Sequence, residues 1–350
     1  MIEIYKTDSM IEVIKKSPVA PSFLGDRYFP TSDRDIFTTP QVWIERADNG
    51  KKSAPFVIPY SGSKLMEREA YTGEQMTPVW INPARDMTIH TLLKKGIGKT
   101  VYDENNAEER EQQYLTDDMA YLESSITRSQ EWMRGKILTQ GYVDCVIGNS
   151  ASEANKTVRL QFFDESFQNL MTFSTSWKGG GNKYEQISEM ANDIDAEYGS
   201  LDLILGQNLV GPFLTDETIL KLLDTGNANF GALNLGETLP DGVGYIGRMN
   251  FGGRNVNIMS YNATVIDPTG KADHYIDPDA MVMLPSNGFG ATKYGAVTQM
   301  EEDNQFHTRT GQFIPRTITN IEGNQRKLEM ASACLPHPYF WDSWRVAKPL

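Results

Sequence analysis

Apolar residues recur at Leu115, Met119, Leu122, Ile126, Met133 and Ile137, with Ser129 standing at the one step that breaks the series. The steps alternate between four and three, the period of one face of a helix. Tyr121 and Trp132 widen the stripe on one flank. The pattern predicts a helix over 115–140, about 38 Å long at the usual rise per residue. Thr116 is its expected N-cap, Asp117 and Asp118 suit the positive end of the helix dipole, and Gly141 is its expected C′ residue. No other stretch holds one period for so long, and the remaining segments are read relative to it.

Before that helix the pattern is broken. Residues 1–16 suit a short amphipathic helix or a strand. In SPVAPSFLGDRYFP, Pro18, Pro21 and Pro30 surround Phe23, Leu24, Tyr28 and Phe29, which predicts an extended arm that must hide its apolar anchors on another surface. FTTPQVWI (37–44) reads as a strand, and Asn49-Gly50 as a hairpin turn. From APFVIPY to Ile81 the chain is dense in charge and poor in core residues. It predicts a long two-stranded excursion, with 57–59 going out and 77–81 coming back, and contact with another molecule is the usual reason for such a protrusion. Residues 87–95 suit a short helix.

After Gly141, YVDCVIG and TVRLQFF predict a hairpin. From Trp177 the character changes to a glycine loop followed by a helix with Ile187, Met190, Ala191 and Ile194 inward. LDLILG (201–206) is apolar without alternation, as in a strand buried on both faces. Residues 212–224 suit one helix, and short strands follow in VGYIG, NVNIMSYNATVID, MVMLPSN and TKYGAVTQM. These predict an α+β unit inserted into an outer domain, to which the strands of 304–350 return.

Composition narrows what this arrangement does. The chain has 350 residues, 39 % of them hydrophobic, and a formal net charge of −13. So acidic a chain repels nucleic acid at long range, which argues against sequence-specific binding. Two cysteines make neither a disulfide framework nor a zinc site, and suit a reducing cytoplasm. Neither a signal peptide's apolar core nor a membrane-spanning apolar run is expected. GGGNK (179–183) fails the phosphate-loop pattern because Tyr184 follows the lysine, and GFGATKYG (288–295) has Lys293 where a dinucleotide fingerprint needs glycine. Asp193, Asp195 and Glu197 open like a calcium loop, but Tyr198 replaces its glycine. The four histidines form no metal pair, and no nucleophile elbow occurs. No catalytic, cofactor-binding or metal residue is therefore assigned.

The order of the segments carries a resemblance. FLGDRYFP (23–30), APFV (54–57) with Gly62, RSQEWMRGKILTQG (128–141), Trp177 with its glycines, NFGALNLGETLPDGVGYIG (229–247), GGRNVNIMSYNATVIDPTG (252–270) and YIDPDAMVMLPSNGFGATKYGAV (275–297) together resemble the major capsid proteins of tailed phages, of the lambda head-protein type, with the Hong-Kong-97 capsid fold. The resemblance implies an α+β chain with an N-terminal arm (1–50), an extended β-hairpin loop (51–86), a peripheral domain (87–175) holding the spine helix 115–140, an axial domain (176–300), and a return to the peripheral domain (301–350).

It also implies a structural role without catalysis: copies assemble as hexamers and pentamers into an icosahedral head, a procapsid and then a mature capsid, enclosing double-stranded DNA. Scaffold, portal and decoration proteins are implied partners, and the virion, assembled in the host cytoplasm, is the implied location. Phe23, Phe29, Lys64, Glu67, Arg68, Glu69 and Glu74 are expected at contacts between subunits. Gly62, Gly179, Gly180 and Gly181 are expected at hinges. The shell of a cellular nanocompartment, with the same fold, and a carbohydrate-active enzyme with paired carboxylates remain the alternatives.

Overall fold

Alternation inside two apolar runs decides where the core lies. In the strand Leu201–Leu205, the residues Leu201, Leu203 and Leu205 face one way and Asp202 and Ile204 the other, and all five are buried. In Met281–Pro285, Met281 and Met283 join the first face, and Val282 and Leu284 the second. Both faces are covered, so the runs read as continuous rather than alternating. The two strands pair antiparallel, from Met281 opposite Leu205 to Pro285 opposite Leu201.

This computed structural model describes residues 5–16, 22–47, 71–88, 107–147, 156–161, 167–224, 228–230, 239–240, 242–267, 270–301, 303–320, 323 and 325–350. In chain order its α-helices are α1 (Thr7–Lys16), α2 (Phe23–Tyr28), α3 (Ala107–Gln140), α4 (Lys183–Asp193), α5 (Gln207–Leu214) and α6 (Glu217–Asp224). Among the described residues the central sheet has seven strands, ordered Leu170–Met171, Arg345–Ala347, Met281–Pro285, Leu201–Leu205, Arg254–Tyr261, Val243–Phe251 and Ala228–Phe230. Helices α4 to α6 cover one face through Ile187, Met190, Phe213 and Ile219. The other face packs against α2 and the C-terminal half of α3, with Tyr28, Trp132, Ile137, Leu138 and Trp344 in one buried cluster.

A second sheet is built on the long strand Gln325–Pro338, paired along its length by Val79–Ile81, Ala84–Thr88, Gly290–Tyr294 and Ile314–Asn320. The N-terminal half of α3 lies in this region. Leu115, Met119, Leu122 and Ile126 pack with Leu328, Met330, Phe313 and, from the arm, Tyr5, Met10 and Ile14. One helix therefore joins two cores.

All six residues of the predicted stripe are buried. The helix starts earlier than expected, at Ala107, because the glutamate- and glutamine-rich turns before Leu115 are good helix formers without an apolar stripe. Thr116 is thus interior rather than an N-cap, and its hydroxyl donates to Gln112 O at 3.0 Å. Gly141 ends the helix at φ 76°, its N–H donating to Ile137 O at 2.9 Å, as expected of the C′ residue. Ser129 does not fill the gap in the stripe. Gln130 does, 2 % exposed, donating to Ser332 Oγ at 3.1 Å and accepting from Tyr294 OH at 3.1 Å.

Three further expectations are corrected. Met87 and Thr88 belong to a strand, Ala84–Thr88, paired with Gln325–Glu329, while the rest of the expected helix, 89–95, lies outside the described residues. The span 212–224 is two helices, because Asp216 caps the second by accepting from Thr218 N at 3.0 Å and Ile219 N at 3.2 Å. The strand expected over 37–44 starts only at Val42.

The meeting of α3 with the segment after the strand Ala272–His274 depends on Gly135. A Cβ there would stand 1.8 Å from Tyr275 O. Helix propensity alone makes Gly135→Ala stabilising by about 1 kcal/mol. Overlap with a backbone carbonyl reverses the sign, since α3 would have to withdraw from the Lys136–Asp273 ion pair (2.6 Å) and the Trp132–Asp273 hydrogen bond (2.9 Å). A net loss of about 1–2 kcal/mol is expected, read as a lower urea midpoint of the unassembled subunit. A raised midpoint would refute this account of the crossing.

Candidate functional site

Two buried carboxylates organise the interior where the arm, the spine helix and the sheets converge. Glu131 comes from α3 and is 3 % exposed. It accepts from Ser22 Oγ at 2.5 Å, Leu24 N at 2.7 Å, Gly25 N at 3.1 Å and Tyr261 OH at 3.0 Å. Leu24 and Gly25 lie in the first turn of α2, whose backbone donors have no partner within their own helix. The spine helix thus supplies the negative charge that caps the arm helix. Arg134, one turn on, donates to Ser22 Oγ at 2.9 Å and Thr292 Oγ1 at 3.0 Å and lies 3.3 Å from Glu131. A Cβ on Gly25 would meet the Arg134 guanidinium at 2.4 Å, so only glycine lets the arm lie this close. Burial beside Glu131 drives the Tyr261 phenol far above its ordinary pKa and keeps it a donor.

Asp202 is the second carboxylate, the one polar residue in LDLIL, and it is fully buried. Arg27 Nε (2.7 Å) and Tyr28 OH (2.8 Å) of α2 donate to Oδ2. Asn257 Nδ2 (2.7 Å) and Ser286 Oγ (2.6 Å) donate to Oδ1. The carboxylate is fully satisfied, as a buried anion must be. Both ends of α2 are therefore tied to long-range acceptors in the same chain.

This placement overturns one expectation. Phe23 and Phe29 are 3 % and 1 % exposed in a single copy, and neither is available to a neighbouring subunit. Phe23 packs edge-on against Tyr261, with centroids 5.2 Å apart, and Phe29 against Phe289 at 5.2 Å. The apolar anchors do need a surface, but that surface is the chain's own core.

Glu74 lies exposed in the strand Tyr71–Met76, opposite Ile44 of Val42–Ala47. Gly62, Lys64, Glu67, Arg68 and Glu69 lie outside the described residues. The three glycines form a turn leading into α4, with Gly180 at φ 86°. Gly179 and Gly181 donate to Ser176 O at 3.0 and 2.9 Å, and Trp177 N–H donates to Pro349 O at 2.7 Å. The turn fastens the C-terminal tail beside the helix.

The sequence reading missed the exposed apolar residues on strands. Trp43 and Trp80 are 46 % and 50 % exposed, and Ile266 and Phe306 are both 73 % exposed. Period-two alternation held the signal for Trp43, whose neighbours Val42 and Ile44 are buried. Among the described residues no cluster of histidine, cysteine, aspartate or glutamate is arranged to hold a metal, and no helix is long and apolar enough to cross a membrane.

Solved structures place this architecture. The chain matches one described as a capsid protein of prophage from E. coli CFT073, with a TM-score of 0.69 and 15 % identity, over 98 % of this chain and 99 % of that one. Weaker likenesses are to a chain of the satellite phage P4 procapsid (TM-score 0.44, 11 % identity, 98 % and 99 % covered) and of the holo-SrpI encapsulin complex from Synechococcus elongatus PCC 7942 (TM-score 0.44, 8 % identity, 97 % and 96 % covered). No curated protein matches the chain. The fold is the Hong-Kong-97-type capsid fold. The family model for phage major capsid protein E matches residues 6–348, and the chain belongs to that family.

Proposed function

We propose that this major capsid protein closes into the icosahedral head of a tailed phage as hexamers and pentamers of itself, first as a procapsid and then as a mature shell around double-stranded DNA. The family match over 6–348 carries this reading. The peripheral domain corresponds to 87–175 with the return over 301–350, and the axial domain to 176–300. The arm over 1–50 is better described as an internal clasp from Ser22 to Phe29, because its aromatic residues are spent on its own core.

Contact with neighbouring copies then falls to the excursion over 51–86. Support comes from its base, where Val42–Ala47 and Tyr71–Met76 form a separate two-stranded ribbon carrying the exposed Trp43. Aromatic residues exposed on such a ribbon suit the buried centre of a protein interface. Lys64, Glu67, Arg68, Glu69 and Glu74 would lie at its rim, where single ion pairs contribute little and repetition around a shell contributes much. Gly62 and the turn at Gly179–Gly181 would absorb differences between hexamer and pentamer positions. A scaffold, a portal and a decoration protein complete the assembly in the host cytoplasm, and the enclosed DNA is held without sequence recognition. No step of this role asks the chain for catalysis.

Native mass measurement of the purified chain tests the reading. Closed particles in the megadalton range are expected, with DNA as the cargo of those recovered from phage-producing cells. A protein that stays monomeric under all assembly conditions overturns the shell reading, and particles filled with an enzyme instead of DNA favour a nanocompartment.

A further inference from the structure

Beside the middle of α3, where Phe23 begins α2 and Tyr261 ends the strand Arg254–Tyr261, lies a cleft of about 240 Å³. Its lining is of two kinds. Phe23, Pro240 and Ala263 are apolar, whereas Arg128, Thr264 and Tyr275 each bring a hydrogen-bond donor. Ser124 and Thr127 also line it, but their hydroxyls are spent on helix carbonyls, Tyr121 O and Glu123 O, both at 2.9 Å. Glu131 is likewise spent on Arg134 and the donors described above. The remaining three donors are not. Among the described residues the exposed Arg128 guanidinium forms no ion pair or hydrogen bond, and neither the Thr264 hydroxyl nor the Tyr275 phenol has a hydrogen-bond partner. Tyr275 carries the most weight. It is only 6 % exposed, its ring stacked on Tyr261 with centroids 5.5 Å apart. Burial and the Glu131 charge raise its pKa, so the phenol keeps its proton, while Arg128 is near enough to act in the opposite sense. A buried hydroxyl without an acceptor costs free energy that a bound acceptor returns.

We infer that this cleft takes a carboxylate side chain from a neighbouring copy of the chain. The inference rests on the shell reading. Three donors, one of them cationic, call for an anionic acceptor with several lone pairs, and a carboxylate is the side-chain group that has them. Apolar walls beside a few convergent polar groups suit the aliphatic stem that carries it. A cleft of this volume admits a side chain and not a duplex. Nucleic acid is moreover bound by a basic stripe, whereas Arg128 is the single unmatched cation of the lining. Carboxylates are what this chain has in excess, with 46 acidic residues against 33 Lys and Arg. In a shell of identical copies, the surface brought to an unmatched guanidinium is therefore complementary to it. A cleft on one copy and a side chain on the next make a contact between unlike faces, which builds rings and shells rather than closed pairs.

Labelling of an introduced thiol tests the contact directly. Cys145 and Cys334 are buried, and burial pushes their thiols up to about 11 and about 12, so both native groups are slow to react. Thr264 is exposed in the single copy. In a Thr264→Cys chain, the new thiol is expected to react with maleimide at least about tenfold more slowly in particles than in dissociated subunits, because the centre of an interface excludes water. Arg128→Glu is expected to lower particle yield about tenfold or more, since it sets like charges against each other. Tyr275→Phe deletes only a hydroxyl without a partner in the single copy. It should leave the subunit's urea midpoint undiminished and lower the salt concentration at which particles dissociate. Equal labelling rates in the two states, a normal yield of Arg128→Glu particles, or a reduced midpoint of the Tyr275→Phe subunit overturns the inference while leaving the shell reading intact. Protection of the thiol in DNA-filled particles alone assigns the cleft to DNA and overturns it as well. Failure of the unaltered chain to form particles at all defeats both.

Discussion

Glu131→Ala is expected to be the most damaging substitution of a single polar residue in this subunit. The change deletes the acceptor for Leu24 N and the nearer of two for Gly25 N, which keeps only Ser22 Oγ at 3.3 Å. Each such loss costs about 1–3 kcal/mol. It also removes the carboxylate beside the Arg134 guanidinium, whose side chain is 5 % exposed. Breaking a buried pair from one side costs about 3–5 kcal/mol, because the remaining charge has no counterpart. These contributions overlap, so a total loss of about 4 kcal/mol is the expected result, a large share of a domain's net stability. Urea denaturation of the unassembled subunit measures it. Glu131→Gln keeps one acceptor oxygen but turns an amide N–H₂ toward donors, so an intermediate loss is expected. Removing Arg134 as well should recover part of the loss, since the stranded charge goes with it. A Glu131→Ala subunit with an unchanged midpoint would mean that the arm helix is held by its aromatic rings and by Asp202.

The contrast between the helix and the arm explains what was legible in the sequence. The stripe from Leu115 to Ile137 repeats within a few residues, so a local pattern carries it, and every member is buried. The run LDLIL likewise states its own burial on both faces. The arm offers no such statement. An apolar cluster between prolines looks the same whether it packs on its own chain or on a copy. What decides is a pair of carboxylates far along the sequence, with Glu131 lying 109 positions from Ser22. Single acidic residues inside a spine helix or a buried strand read as ordinary solvated charge until the fold brings donors around them. Exposed apolar positions were the least legible. Exposure of Phe306 follows from how a hairpin leaves the sheet, and no periodicity near Phe306 announces it.

Asp202→Ala should cost about 3 kcal/mol, while Arg27→Met should cost about 1.5 kcal/mol, the loss of one hydrogen bond to a charged group. The reason is the unequal burial of the two partners. The Arg27 side chain is 23 % exposed, so water can take over part of its solvation when Asp202 is gone, and its own loss leaves Asp202 with the neutral donors Tyr28 OH, Asn257 Nδ2 and Ser286 Oγ. The Asp202 side chain has no exposure at all. Its removal takes the acceptor from three neutral donors and one carboxylate from a partly exposed guanidinium. An anion held mainly by neutral groups tolerates the loss of a cationic neighbour, whereas those groups do not tolerate the loss of the anion. Urea midpoints of the two single variants decide the order. Equal losses would mean that the ion pair with Arg27 carries the energy of the site. A larger loss for Arg27→Met would place the clasp at the surface of the arm rather than under the sheet.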